Sequence, residues 1–213
     1  MKEKGKYRLL KLFSIYIVAV LVGLIFALLF DGLKLYSIVF YIIVIFGLYL
    51  YAKKEKPMWE PWVGKVYREG WIRAGISTLF ILVCIILVIT LKTAVWMEGI
   101  YEEFKFDIFA FIGTCCLAPI TEEIIFRGIV LDILREKHSN AFAIIFSAVI
   151  FYIVHGNFMN IGTLFLGLFA GWTVIKAKSV IPGVMIHFIW NVVIYFSPGI
   201  ASYLANSNFV HRF

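Results

Sequence analysis

Five stretches of the chain carry no Asp, Glu, Lys or Arg: 12–30, 35–52, 74–91, 138–175 and 179–211. Where no water reaches the backbone, a helix satisfies its own N–H and C=O groups, and an apolar run of about 20 residues is long enough to cross a bilayer as helix. The pattern predicts helices at 9–30, 35–51, 72–91, 106–134, 141–155, 161–175 and 180–196, with room for an eighth. The uncharged stretch 138–175 is too long for one span and should break at Gly156, Asn157 and Asn160. Pro119 should kink or divide the fourth helix, because its ring nitrogen has no hydrogen to give the preceding turn. The expected fold class is all-α: a polytopic transmembrane helical bundle of seven to eight helices, a single integral membrane domain over 1–213 without repeat or linker.

Composition decides the solvent. Hydrophobic residues make up 62% of the chain and charged residues 15%, with a mean hydropathy of +0.95. A soluble domain is about half apolar and a quarter charged, so this much apolar surface could not be hidden from water. A soluble enzyme and a nucleic-acid-binding domain are both excluded. The net charge of +7 resides in the connections, where it acts as a topology signal. Leu12–Phe30 follows a basic arm but is too long for a signal peptide and lacks a small-residue cleavage site, so it reads as a retained first helix. Cys84, Cys115 and Cys116 lie in or beside apolar runs without C-x-x-C spacing, which fits small packing residues rather than disulfides, a metal site or a nucleophile.

The informative residues are then the polar ones that lipid should have excluded. Ionisable groups at depth are costly and normally face a bundle interior or a wet cavity. Here they form three clusters: Thr121-Glu-Glu-Ile-Ile-Phe-Arg-Gly128, Phe151-Tyr-Ile-Val-His155 and His187-Phe-Ile-Trp-Asn191. Glu123 and Arg127 are four apart, neighbours on one helix face, and can form an ion pair; Glu122 turns about 100° away toward a different partner. His187 and Asn191 project side by side in the same way, and Phe151 lies one turn from His155. Each cluster alone has a bland explanation, as a structural salt bridge or as interhelical glue. Four such groups in three separate spans are a heavy cost for packing alone.

The set Glu-Glu-x-x-x-Arg, Phe-x-x-x-His and His-x-x-x-Asn, in this order on successive apolar segments, resembles the CPBP intramembrane endopeptidases, which include CAAX prenyl proteases and bacteriocin-processing or immunity proteins. The resemblance covers about residues 106–196 and implies that Glu122, Glu123, Arg127, His155, His187 and Asn191 take the family's functional positions. It implies a peptide or lipidated protein as substrate beside membrane lipid; no cofactor is favoured, zinc remains possible, and composition leaves no nucleic acid as partner.

Chemistry gives these residues roles that do not depend on the family. Peptide hydrolysis needs a base for water, donors for the oxyanion and a proton for the leaving amine. Glu122 with His155 could hold and deprotonate the water, His187 and Asn191 could donate to the oxyanion, and Glu123 with Arg127 could hold the geometry. Zinc stays open, with Glu122, His155 and His187 as its ligands. The metal-free scheme is preferred because the H-E-x-x-H helix is absent and Asn191 is a poor zinc ligand but a good donor. Two other classes compete: a non-catalytic bacteriocin-immunity protein, and a proton-coupled transporter, which would lack the usual repeated halves. The location expected is a cell membrane, with a bacterial source suggested only by small size.

Counting Lys and Arg by connection puts 16 on the side of the N-terminus and four opposite (Lys34, Lys92, Lys105 and Arg212), which predicts a cytoplasmic N-terminus. Single cysteines placed at Lys56 and Glu102 test it in intact cells. An impermeant thiol reagent should label the second and spare the first, and the reverse pattern would invert the topology.

Overall fold

The computed structural model describes residues 10–11, 13–15, 17–22, 25, 33–54, 66–95, 104–156 and 161–210. Their regular structure is helical throughout, as the apolar runs predict: α1 (its described residues 10–11, 13–15, 17–22 and 25), α2 (Leu33–Lys54), α3 (Arg68–Val95), α4 (Ile108–Arg135), α5 (Asn140–Val154), α6 (Ile161–Ala177) and α7 (Ile181–Val210). The basic arm 1–9, the connection 55–65, the acidic residues Glu98, Glu102 and Glu103, and Asn157, Asn160, His211 and Arg212 lie outside the described residues.

The helix ends follow local chemistry. Asp107 caps α4 by accepting from the N–H groups of Phe109 and Ala110 at 2.9 and 3.2 Å, and Ser139 caps α5 by accepting from Phe142 N–H at 3.3 Å. Gly156 ends α5 in the left-handed region at φ +65°, which a residue without Cβ adopts freely. The break sought in the stretch 138–175 therefore begins at Gly156.

Two prolines behave differently from a simple break. Pro119 does not divide α4. The helix widens to π turns over Ile112–Leu117 and again over Ile124–Val130, and continues to Arg135. In the π register Ala118 N–H bonds to Gly113 five residues back, so the hydrogen that Pro119 lacks would have gone to Thr114. α7 likewise runs past Pro198 to Val210, beyond the end at 196 that the sequence predicts. The carbonyl left without its donor there is that of Ile194, and the Ser197 hydroxyl donates to it at 2.8 Å. In an apolar medium such a local donor decides whether the helix continues.

Packing is set by small residues. Gly167 on α6 lies against Ala148 of α5, where an added Cβ would meet its Cα and Cβ at 3.0 Å, and Gly171, one turn on, faces Ile144. This is the small-x-x-x-small contact that lets backbones approach where lipid removes the ordinary hydrophobic drive. Gly70 at the start of α3 sits on Ala177 in the same way. The α3–α6 face carries the buried Ser77–Thr173 hydroxyl pair at 3.4 Å, and the Arg73 guanidinium stacks over Trp172 at 4.2 Å. α2 packs against α4, and its Phe40, Val44 and Leu48, four residues apart on one face, are buried. Trp71, Ile72, Ile76, Leu79, Val83 and Ile86 of α3 point outward, an apolar surface suited to lipid. Ile108–Arg135 and Ile181–Ile200 are each long and apolar enough to cross a bilayer.

Ser197→Ala should therefore destabilise the protein by about 1 kcal/mol, the usual net value of one hydrogen bond. Thermal unfolding in detergent should show the loss in the wild-type background but not beside Pro198→Ala, which returns an N–H to Ile194. An equal loss in both backgrounds would refute the account of how α7 passes its proline.

Candidate active site

α4 carries Glu122, Glu123 and Arg127 at its centre, Glu122 and Glu123 between the two π turns and Arg127 in the second. Glu123 points to the dry side. Its side chain is 0% exposed, and Oε1 stands 3.1 Å from Arg127 Nη1 and 3.1 Å from His187 Nδ1 on α7. Room for the carboxylate comes from Gly183, where a Cβ would lie 2.9 Å from Glu123 Oε2 and 2.8 Å from Val174 Cγ2. The guanidinium is equally enclosed, with Nη2 just 3.3 Å from the position a Cβ on Gly167 would take. Arg127 also borders a small cavity with Gly128, Leu131, Val174 and Val180, where an ordered water can serve its remaining N–H groups.

Phe151, fully buried on α5, is the partition between these groups. Its ring lies 4.4 Å from the Arg127 guanidinium carbon, 4.3 Å from the His155 ring and 5.7 Å from the His187 ring, which meets it edge-on at 87°. Phe126 closes the remaining side at 5.0 Å. A cation held over an aromatic face out of water gains roughly 2 kcal/mol, which offsets part of the cost of burying Arg127.

Glu122 faces the other way and is 17% exposed. Its Oε2 lies 3.4 Å from His155 Nε2 and 3.8 Å from His187 Nε2, and its Oε1 accepts from the Tyr41 hydroxyl of α2 at 3.2 Å. The partners assign both tautomers. His155 Nδ1 donates to the Phe151 carbonyl at 2.7 Å and His187 Nδ1 donates to Glu123, so each ring turns Nε2 toward Glu122. His155 stands at the end of α5 because Gly156 stops the helix there, and its side chain is 34% exposed. The opening of the site thus lies along Glu122 and His155.

Asn191 sits one turn beyond His187 on α7, and its Nδ2 donates to the Thr114 carbonyl at 2.7 Å. That is the carbonyl Pro119 leaves open. Among the bonds described, none joins Asn191 to Glu122, His155 or His187. Cys115 is buried and free, Cys116 half-buried and free, and neither touches these groups through any bond described. Among the described residues, no three His, Cys, Asp or Glu side chains are arranged to hold a metal ion.

With this geometry in place, residues 103–193 match the family model described as type II CAAX prenyl endopeptidase Rce1-like. Over this segment, which is under half of the chain, the protein is similar to the CAAX proteases. The segment contains Glu122, Glu123, Arg127, His155, His187 and Asn191, and it leaves α1 to α3 outside. No curated protein and no solved structure matches the chain. The match supports a CAAX-type intramembrane endopeptidase in general, in agreement with the resemblance of the motifs.

Sequence reasoning missed Tyr41, Gly183, Gly167 and Thr114. Gly183 gives the sharpest test of the packing. Gly183→Ala should lower thermal stability by a few kcal/mol, since Glu123 is held by two partners and cannot retreat from the new methyl. Gly75→Ala, on α3 with nothing within 4 Å of the added Cβ, is the control and should be neutral or slightly stabilising. Equal effects at the two positions would contradict the tight fit around Glu123.

Proposed function

We propose that the chain is a CAAX-type protease that cuts a peptide bond in a membrane-associated peptide or prenylated protein with a water activated by Glu122, from a single membrane domain with its N-terminus in the cytoplasm. The observation that carries the reading is the meeting of Glu122 Oε2 with the Nε2 atoms of His155 and His187, at 3.4 and 3.8 Å. His155 Nε2 and the carboxylate are both acceptors, and a water placed between them can give one hydrogen to each. Glu122 takes a proton from that water as its oxygen attacks the scissile carbonyl. It then returns the proton to the leaving amine, so one carboxyl group serves both halves of the reaction.

The oxyanion needs donors. His187 can give Nε2–H to it while Nδ1–H stays on Glu123 if the ring carries both protons. Glu122, Glu123, Arg127 and His187 then sum to zero charge. Asn191 supplies its second N–H from the next turn. Arg127 touches no reacting atom in this scheme: it holds Glu123, which holds His187.

Zinc is the competing scheme, with Glu122, His155 and His187 as the residues that would hold it and a polarised water as its contribution. Among the described residues these side chains do not have the disposition of a metal site.

Turnover of a farnesylated CAAX peptide by purified protein tests the proposal. Glu122→Gln should lose about 100-fold or more of the rate with the fold intact, because the amide cannot accept the proton. His187→Ala and Asn191→Ala should each lose about 100-fold if they stabilise the oxyanion. Metal analysis and chelation accompany the assay. Stoichiometric zinc whose removal stops cleavage and whose return restores it would sink the metal-free scheme, and full activity of Glu122→Gln would remove the base from either.

A further inference from the structure

We propose that Tyr41, from the half of the chain outside the matched segment, is a positioning residue for Glu122; the inference rests on the reading of Glu122 as the base. α2 packs against α4, and Tyr41 lies one residue round from the buried stripe Phe40, Val44 and Leu48, its ring edge-on to Phe40 at 5.1 Å. This places the phenol over the centre of α4, and its hydroxyl donates to Glu122 Oε1 at 3.2 Å.

The consequence follows from the two ends of one carboxylate. A glutamate in an apolar bundle can rotate about its last bond and present either oxygen to the site. Oε2 faces the two imidazoles, so a donor fixed on Oε1 holds the other oxygen there. The phenol ring also closes the α2 side of the carboxylate, while His155 and His187 flank it from α5 and α7. No residue between 103 and 193 donates to Oε1 among the bonds described, so the matched segment alone lacks this element of the site. α2 thereby becomes part of the active site, beyond being an apolar helix beside it.

Three proteins test this: wild type, Tyr41→Phe, which keeps the ring and deletes the hydroxyl, and Tyr49→Phe, an exposed tyrosine of the same helix as control. With the farnesylated CAAX peptide, Tyr41→Phe should lower kcat by about 10- to 100-fold, the range of one hydrogen bond to a charged group, with KM within about twofold. Tyr49→Phe should match wild type. A kcat for Tyr41→Phe equal to wild type overturns the proposal, and so does a fall in kcat that tracks a fall in folded fraction measured by thermal unfolding.

A second readout is independent of turnover. The infrared difference between each protein and its Glu122→Gln counterpart isolates the Glu122 carboxyl bands. Those bands should shift between the wild-type and Tyr41→Phe backgrounds, and unshifted bands refute the contact itself. If wild type does not cleave the peptide, or Glu122→Gln cleaves it fully, the proposed function has failed, and the infrared comparison still judges whether Tyr41 holds Glu122.

Discussion

A carboxylate buried in a lipid-facing bundle has to find all its partners inside the protein, and the Glu123 side chain is the point where this chain meets that demand. Its Oε1 lies 3.1 Å from both Arg127 and His187, with the side chain fully buried. Stranding one charge of such a pair costs on the order of 3–5 kcal/mol, so the arrangement is kept whole or lost. Much of the surrounding structure can be understood as what the pair requires. Gly183 leaves space for the carboxylate, Gly167 for the guanidinium, and Phe151 gives the cation a face to lie on. The Glu123–His187 contact also ties α4 to α7, which fixes the direction of the His187 ring.

Glu122 and Glu123 are adjacent in sequence yet live in different surroundings because a helix turns by about 100° per residue. One is sealed, with a single oxygen shared between Arg127 and His187; the other is partly exposed, with one oxygen on a tyrosine and one turned to two imidazoles. That difference separates the structural carboxylate from the one that can exchange a proton. Pro119 contributes from the same helix. By withholding one hydrogen in a π turn it leaves the Thr114 carbonyl to Asn191, and the helix that bears the acids is thereby joined to the helix that bears the imidazole and amide.

The parts legible in the sequence are those where lipid makes composition a sharp discriminator. Helices stand out because uncharged runs of that length have few other uses, and Glu122, Glu123, Arg127, His155, His187 and Asn191 stand out because ionisable and amide groups in such runs are expensive. Tyr41 gave no signal, since it is one of 11 tyrosines beside 21 phenylalanines in a chain where aromatics are common. Gly183 and Gly167 were equally silent: a glycine acquires meaning from the atom that comes close to it, and that atom belongs to another helix. The course of α7 beyond Pro198 turned on Ser197, a single hydroxyl whose role depends on which carbonyl the proline has freed.

The central claim is that Glu122 acts on water as a base and does not itself attack the substrate. Its Oε1 accepts from a phenol, while Oε2 faces the two imidazoles without a hydrogen bond from them, which leaves it open to a proton from water. Cleavage of a farnesylated CAAX peptide in ¹⁸O-water under single-turnover conditions addresses this directly. The account predicts solvent oxygen in the new terminal carboxylate from the first turnover and none in the protein. Heavy oxygen in a glutamate side chain of the protein, with unlabelled product, would show an acyl-enzyme and contradict it.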